Sequence, residues 1–149
     1  MRTVIAAGLG LGWIPRRMWG SDAGAGTFGA VLGGAIGVMS WLAPWWVGLG
    51  LAVAAVAVSM WASAPQGRAG HDPGWVVIDE VAGALVAVVG LFGMAWVVAW
   101  VVARVADITK ALPGIRAAER LPAPWGITAD DVLAGLYGLA AGWVVTGLS

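Results

Sequence analysis

The chain has no cysteine and only one histidine, and these shortages exclude several kinds of site. Disulfide bonds, thiolate metal sites and phosphocysteine intermediates all require a cysteine thiol. Charge is also scarce, because only 11% of the 149 residues are charged and eight basic residues balance eight acidic ones. The basic residues occur singly or in pairs, which is not the pattern of a nucleic-acid-binding surface. We therefore expect no nucleic acid among the partners.

Motifs of several enzyme classes are missing as well. The glycines at positions 8, 10 and 12 are not followed by the Gly-Lys-Ser/Thr of a nucleotide-binding loop. No serine stands in the context of a nucleophile elbow. His71 lies in a loop rich in glycine and proline, where a histidine is more often solvated or structural than catalytic. It stays a candidate acid or base.

The chain is rich in apolar sequence, with 60% hydrophobic residues and a mean hydropathy of +0.88. Charged residues separate four apolar stretches, at 3–15, 23–67, 81–103 and 132–149. A helix needs about 20 apolar residues to span a bilayer. The first stretch is too short for this, so we expect a short or re-entrant element that packs against protein.

The second apolar stretch is long enough for two membrane spans. Pro44 disfavours helix at the residue before it, so the stretch predicts a hairpin of helices at about 27–43 and 45–63. The last stretch predicts a final helix at about 131–148. The predicted fold is therefore all-α: a membrane-embedded helical bundle with short or broken helices, formed by a single domain of residues 1–149.

The third apolar stretch allows two interpretations. One straight helix would place Asp79 and Asp107 on opposite membrane faces, about 40 Å apart. A turn at Gly90–Gly93 would instead return Asp107 to the side of Asp79. Hydropathy alone favours the straight helix, whereas charge placement favours the fold-back, because all basic residues then lie on one side. The positive-inside rule would make that side cytoplasmic.

Most acidic residues gather at the edges of the apolar stretches, namely Asp72, Asp79, Glu80, Asp107, Asp130 and Asp131. Stabilisation of helix N-termini is the simplest explanation. However, each acid pair is followed by a glycine one turn later, which leaves room beside it. Two like charges about 4 Å apart cost on the order of 4 kcal/mol at an effective dielectric of 20. Converging carboxylates therefore need protons or a cation, and oxygen ligands without His or Cys favour a hard ion such as Mg²⁺.

Arg104, Asp107 and Lys110 are spaced three residues apart and share one helix face. They form either an intrahelical ladder of ion pairs, worth only tenths of a kcal/mol, or a site at which Asp107 faces the other acids. In the second case Arg104 or Lys110 would contact an anionic substrate such as a phosphate.

Three segments together resemble the signature segments of the phosphatidylglycerophosphatase A family, in order and in spacing: DPGWVVIDEVAG at 72–83, RVADITK at 104–110 and GITADDVLAG at 126–135. The glycines at 8–10 and the segment Gly26-Thr27-Phe28-Gly29-Ala30 resemble its glycine-rich N-terminal motif. The resemblance implies an all-α, membrane-associated bacterial protein. Together with the apolar stretches and the positive-inside rule, it leads us to expect several spans in the bacterial inner membrane and a site on the cytoplasmic face. It also implies Mg²⁺-dependent removal of the terminal phosphate from phosphatidylglycerophosphate, which yields phosphatidylglycerol.

The resemblance implies candidate residues for each role. The catalytic acids would be Asp79, Glu80, Asp107, Asp130 and Asp131, with Asp72 and His71 near the site. We expect Asp79, Glu80, Asp130 and Asp131 to hold one or two Mg²⁺ ions, and a carboxylate such as Asp107 to orient the attacking water. Substrate phosphate contacts would come from Arg104, Lys110 and Arg68, and from the backbone near Gly26 and Thr27.

Several alternatives stay open at this point. Direct attack by water and an aspartyl-phosphate intermediate are both compatible with the sequence, although no Asp-x-Asp-x-Thr/Val motif is present. The chain departs from the family pattern at Ala25, around 16–23 and at 111–115. We expect these segments to be substrate loops, so the lipid specificity is open. Another lipid phosphate is one alternative substrate. A non-enzymatic membrane scaffold or transport subunit is the rival function. The oligomeric state is not predicted.

Overall fold

The computed structural model describes residues 1–65 and 73–148, and these residues form helices and connecting turns without a strand. The α-helices in chain order are α1 (Arg2–Ala6), α2 (Ile14–Trp19), α3 (Ala25–Met39), α4 (Trp45–Ser63), α5 (Ile78–Ala87), α6 (Gly93–Thr109), α7 (Ile115–Glu119) and α8 (Trp125–Leu148). Short 3-10 segments at Gly8–Trp13 and Ser40–Leu42 follow α1 and α3. The predicted all-α fold is confirmed.

Three helical segments in the described part of the chain are long and apolar enough to cross a membrane: Ala25–Leu42, Trp45–Ser63 and Trp125–Leu148. The first two form the predicted hairpin around Pro44, whose extended neighbour Ala43 has ψ 160° and interrupts the helix. The N-terminal stretch forms only short helices that pack against the bundle, since the Val77 amide donates to the Ala6 carbonyl at 2.9 Å. Both predictions are therefore confirmed.

The third apolar stretch folds back on itself. Helix α5 ends at Ala87 and α6 begins at Gly93. Gly90 and Gly93 have φ values of +69° and +55°, a conformation that glycine adopts with no steric cost. The turn is partly buried, since Leu91 is 2% exposed and packs against Ala95 and Ala99, whereas Phe92 is 51% exposed. The fold-back is confirmed.

Helix α8 differs from the sequence prediction at its start. It begins at Trp125, six residues before the predicted start at Asp131. Pro124 precedes it, and proline suits the beginning of a helix because its φ is already helical and its missing N–H is not needed there. Asp130 and Asp131 therefore lie in the second turn of α8. Stabilisation of a first helical turn explains Asp79 and Glu80, but it does not explain the second pair.

The helices run back and forth so that one end of the bundle collects the charge. This charged end comprises the start of α3, the start of α5, the end of α6 and the first two turns of α8. The opposite end contains the 3-10 segment Ser40–Leu42, the turn between α5 and α6, and the last turn of α8, and these segments carry no charged side chain. The functional candidates are thus at one end of an apolar body.

Candidate functional site

Helices α5 and α8 approach each other closely at the charged end. A Cβ atom at Gly83 of α5 would lie 2.6 Å from the carbonyl oxygen of Asp131 in α8. A Cβ atom at Gly135 would likewise overlap with the carbonyl oxygen of Gly83. The glycines that follow the two acid pairs thus face each other's helix. The sequence predicted space beside each acid pair. In the structure the neighbouring helix occupies that space, and this close packing of α5 on α8 brings the two pairs together.

Three carboxylates form the centre of the site. Asp107, Asp130 and Asp131 each contribute one oxygen to a group in which all three atoms lie within 4.8 Å of one another. Asp130 and Asp131 are 5% and 7% exposed, so water can screen their mutual repulsion only weakly. Glu80 lines the same cavity as Asp107 and Asp131. We call these four residues the acidic cluster.

Two cationic side chains contact the acidic cluster. Arg104 Nη1 donates a hydrogen bond to Asp107 Oδ2. Lys110 Nζ donates to Asp107 Oδ1 at 2.9 Å and also to Asp130 Oδ2. Burial alone would lower the pKa of Lys110, but the hydrogen bonds to Asp130 and Asp107 raise it above its ordinary value. Lys110 therefore stays charged and bridges two helices, α6 through Asp107 and α8 through Asp130.

The backbone of Lys110 is unusual. It ends α6 with φ 50° and ψ 30°, a left-handed conformation that costs a residue with a side chain roughly 1–2 kcal/mol. Glycine is the common residue at this place in a helix. The turn directs the Lys110 side chain back to the acids. The unfavourable backbone conformation is therefore found at a residue whose ammonium group contacts the site.

Glu80 lies against the first turn of α3. A Cβ atom at Gly26 would overlap with Glu80 Oε1 and lie 2.7 Å from Arg104 Nη2. Gly26 is thus required for close approach, and it brings α3 into the site. Burial raises the pKa of the Glu80 carboxyl, against the opposing effects of a hydrogen bond with Asp79 and the charge of Arg104.

Three polar atoms at the site are buried without a hydrogen-bond partner among the described residues: Glu80 Oε2, Asp130 Oδ1 and Arg104 Nε. Leaving such an atom unpaired costs about 1–3 kcal/mol, and more for a charged group. Two of the three belong to carboxylates and the third to a guanidinium. The arrangement therefore suits a ligand set that adds both a cation and an anion, such as a metal ion together with a phosphate group.

The structure brings together most of the predicted site residues. Asp107, Asp130, Asp131, Glu80, Arg104, Lys110 and Gly26 all lie at the charged end. Asp79 is 1% exposed beside Glu80 in the first turn of α5, but it is outside the group of three carboxylates. Thr27 is exposed. Arg68, His71 and Asp72 lie outside the described residues.

The group of three carboxylates differs from the predicted metal ligands. It includes Asp107, which was expected to orient water, and it does not include Asp79 and Glu80, which were expected to bind the metal. That metal set stays a prediction. The sequence alone did not point to Trp100, which lines the cavity together with Glu80 and Arg104, and it gave no role to Ala30 of the glycine-rich segment, which lines the cavity as well. The spacing could have indicated Trp100, because it precedes Arg104 by four residues and therefore lies on the same helix face.

Comparison with known proteins gives a consistent result. A sequence profile of the family described as phosphatidylglycerophosphatase A matches residues 4–146. A protein of Bacteroides thetaiotaomicron, provisionally named a phosphatidylinositol-3-phosphatase, is 32% identical over 157 aligned positions, which cover 95% of this chain and 94% of that protein. No solved structure matches the chain at a comparable level of significance.

Proposed function

The chain belongs to the phosphatidylglycerophosphatase A family, and on this premise we propose that it hydrolyses the terminal phosphate of phosphatidylglycerophosphate to give phosphatidylglycerol. Four carboxylates and two cationic side chains lie together at one end of an apolar helical bundle, and this arrangement is the main support for the proposal. A lipid phosphate has a charged head and apolar tails. A charged site at the end of a membrane domain matches that division.

The acidic cluster suits Mg²⁺. Its donors are carboxylate oxygens, which hard divalent cations prefer. Four ionised carboxylates and the two cations Arg104 and Lys110 leave a formal charge of −2, which one divalent ion balances. The unpartnered Glu80 Oε2 and Asp130 Oδ1 are available donors. Asp130 and Asp131 would hold the ion, with further ligands from Asp79 and Glu80 or from Asp107. Bound Mg²⁺ would neutralise phosphate charge and acidify a water ligand.

The chain's own residues would carry the remaining steps. Arg104 and Lys110 would bind the non-bridging phosphate oxygens and stabilise the charge that grows on them. Asp107 would then accept a hydrogen bond from the attacking water and take its proton. The water oxygen bonds to phosphorus, and the bond from phosphorus to the glycerol oxygen breaks. The leaving oxygen takes a proton from solvent water, and Asp107 returns the proton it took to solvent. Arg104 has a free N–H group with which it can bind the phosphate oxygens, since its Nε is buried without a partner among the described residues.

The location follows from the same charge distribution. We place the chain in the bacterial inner membrane with several spans, and the charged end on the cytoplasmic side, because basic residues are retained there. The phosphate head of the substrate then lies in the aqueous interface, while the acyl chains stay in the bilayer. No lipid needs to cross the membrane for the reaction.

The relative from Bacteroides thetaiotaomicron favours a second candidate substrate. Its name assigns it to an inositol lipid phosphate, and it is similar to this chain over nearly the full length of both. The arrangement of Arg104, Lys110 and the acidic cluster would serve a phosphomonoester on either head group. The head group is therefore the property to measure first.

The test is phosphate release by the purified full-length chain in detergent. Phosphatidylglycerophosphate, phosphatidylinositol 3-phosphate and phosphatidic acid are each assayed with Mg²⁺ and with EDTA. We expect Mg²⁺-dependent release, fastest from phosphatidylglycerophosphate. Faster release from the inositol lipid would transfer the assignment to the second candidate. Absence of Mg²⁺-stimulated release from all three, in folded protein, would favour the scaffold or transport function.

A pair of variants tests the site within that assay. E80Q and D131N each remove one negative charge from the acidic cluster with little change in shape, and both are expected to lower turnover and Mg²⁺ affinity at least tenfold. E119Q is the matched control, because Glu119 is exposed on α7. Wild-type turnover and metal affinity in both E80Q and D131N would show that the cluster is not the active site.

A further inference from the structure

One face of α6 carries a row of large side chains that leads to the site. Trp96, Trp100 and Arg104 are four residues apart, so they lie one above another along the helix, and Phe92 directly precedes the first turn of α6. The Trp96 and Trp100 rings are stacked, with centroids 6.5 Å apart and an interplanar angle of 5°. Trp41, in the 3-10 segment that follows α3, contacts both Phe92 and Trp96. The row therefore extends from the end of the bundle opposite to the charged end as far as the Arg104 guanidinium.

Helix α3 presents a complementary row of small residues. Gly26, Ala30 and Gly34 are also four residues apart. The Trp100 Nε1–H group donates a hydrogen bond to the Ala30 carbonyl at 2.9 Å, and a Cβ atom at Gly34 would lie 2.9 Å from Trp100 Nε1. Large side chains of α6 thus rest on the bare backbone of α3. We call this line of contact the α3–α6 seam.

The seam is continuous with the active-site cavity. The cavity is lined by the charged residues Glu80, Arg104, Asp107 and Asp131 and also by apolar residues, among them Ala30, Ala84, Trp100 and Ala103. Trp100 therefore belongs both to the lining of the cavity and to the seam. Since α3 is one of the candidate membrane spans, the seam runs from the cavity into the depth of the bilayer.

A buried donor in the seam lacks a partner. Trp96 Nε1 is buried, and it has no hydrogen-bond acceptor among the described residues. Such a donor is destabilising if nothing satisfies it. Apolar lipid chains have no acceptor, but the ester groups that join them to glycerol do. An ester carbonyl of a lipid in the seam would supply the missing acceptor.

We propose that the α3–α6 seam binds the diacylglycerol part of the lipid substrate, and that Trp100 determines specificity for lipid over soluble phosphate esters. The proposal rests on the proposed function. With the phosphate at Arg104, the rest of the lipid has to leave the charged site, and the seam is the apolar path that begins at its wall. The Trp100 ring would support the glycerol backbone one helical turn from Arg104, and the acyl chains would follow Trp96 towards Phe92.

Chain length of the substrate gives the first test. Turnover is measured with two forms of phosphatidylglycerophosphate that share the head group, one with two oleoyl chains and one with two hexanoyl chains. We expect W100A to lower kcat/KM for the long-chain form at least tenfold, mainly through KM, and to change the value for the short-chain form less than threefold. W100F, which keeps a ring, should recover most of the loss. W46A is the matched control, since Trp46 is 61% exposed on α4.

Equal losses for both chain lengths in W100A would overturn the role of Trp100 in lipid specificity. Photo-crosslinking of the wild-type chain gives a second test that does not depend on the folding of a variant. A long-chain substrate with a diazirine in one acyl chain should label peptides of α3 and α6. Labelling confined to α4 and α8 would overturn the subsite.

The two proposals fail in different ways. If the wild-type chain releases no phosphate from either chain length, the proposed function fails. If it hydrolyses both forms and the W100A variant does not distinguish them, only the lipid subsite fails.

Discussion

Gly26 and Glu80 touch across two helices, because a Cβ atom added to Gly26 would overlap with Oε1 of the Glu80 carboxylate. The contact joins the first turn of α3 to the first turn of α5 and leaves no room for a methyl group. It also involves Arg104, whose Nη2 would lie 2.7 Å from the same Cβ atom. The smallest possible side-chain addition at this position therefore acts on two groups of the site at once.

We predict that G26A lowers turnover at least tenfold with little loss of stability. The atoms in the way are the ends of flexible side chains, so Glu80 and Arg104 can move aside without separating the helices. Phosphate release and thermal unfolding in detergent measure the two effects. The control is G50A, because a Cβ atom at Gly50 of α4 meets nothing within 4 Å. Wild-type turnover in folded G26A would show that the position of Glu80 is not important for catalysis.

Replacement of Lys110 is predicted to strengthen binding of a divalent cation. The Lys110 ammonium donates to Asp107 Oδ1 at 2.9 Å and to Asp130, so it competes for the oxygens that would hold the metal. In K110M the site loses one positive charge, and unit charges about 4 Å apart interact by about 4 kcal/mol at an effective dielectric of 20. We expect at least tenfold tighter Mn²⁺ binding, measured by electron paramagnetic resonance, and slower turnover because a phosphate contact is lost.

The charge-retaining variant K110R provides the comparison for K110M. It should bind Mn²⁺ with nearly wild-type affinity. Weaker Mn²⁺ binding in K110M than in the wild-type chain would mean that Lys110 supports the metal site rather than competing with the ion.

The contact between α4 and α8 allows a prediction about stability alone. Ser59 and Thr128 are 0% and 2% exposed, and their hydroxyl groups are hydrogen-bonded at 2.8 Å. S59A and T128V should each lower the free energy of unfolding by about 1–2 kcal/mol, because each leaves the other hydroxyl buried and unpaired. In the double variant the loss should be clearly smaller than the sum. Additive losses would show that the hydroxyl groups do not depend on each other.

The absence of cysteine makes the membrane topology easy to test with single-cysteine variants. Ser21 and Ala117 belong to segments at the charged end, whereas Leu42, 98% exposed, is at the opposite end. In membrane vesicles, a maleimide that cannot cross the bilayer should label S21C and A117C from the same side and L42C from the other. A straight helix through 81–103 would place residues 21 and 117 on opposite sides, so labelling from opposite sides would contradict the fold-back.

The fold-back shows how far local sequence can lead. Two glycines near the middle of an apolar stretch allowed a turn, but hydropathy alone favoured a straight helix and only charge placement favoured the turn. The structure adds the packing that holds the turn, because Leu91 is buried against Ala95 and Ala99. Such contacts depend on neighbours in space, and hydropathy along the chain does not contain them.

The start of α8 shows a different limit. The sequence predicted a final helix from about Asp131, yet the helix begins at Trp125. A Cβ atom at Gly126 would overlap with the Leu121 carbonyl, so the glycine serves close packing there rather than ending a helix. Local helix propensity favours a later start, and tertiary contact overrides it.

Composition and residue order already specified the apolar surroundings of this protein and the kind of ligand atoms at its candidate site. Long charge-free stretches specify a membrane, the grouping of charges specifies one polar end, and carboxylates without cysteine specify hard oxygen donors. These properties follow from composition and from order along the chain. The tertiary structure alone decided which carboxylates meet: Asp107 joins Asp130 and Asp131 because α5 folds back into α6 and α8 packs on both. The close approach of Gly83 to the Asp131 backbone sets the distance between α5 and α8. Because these two residues are far apart in the chain, local sequence does not contain this distance.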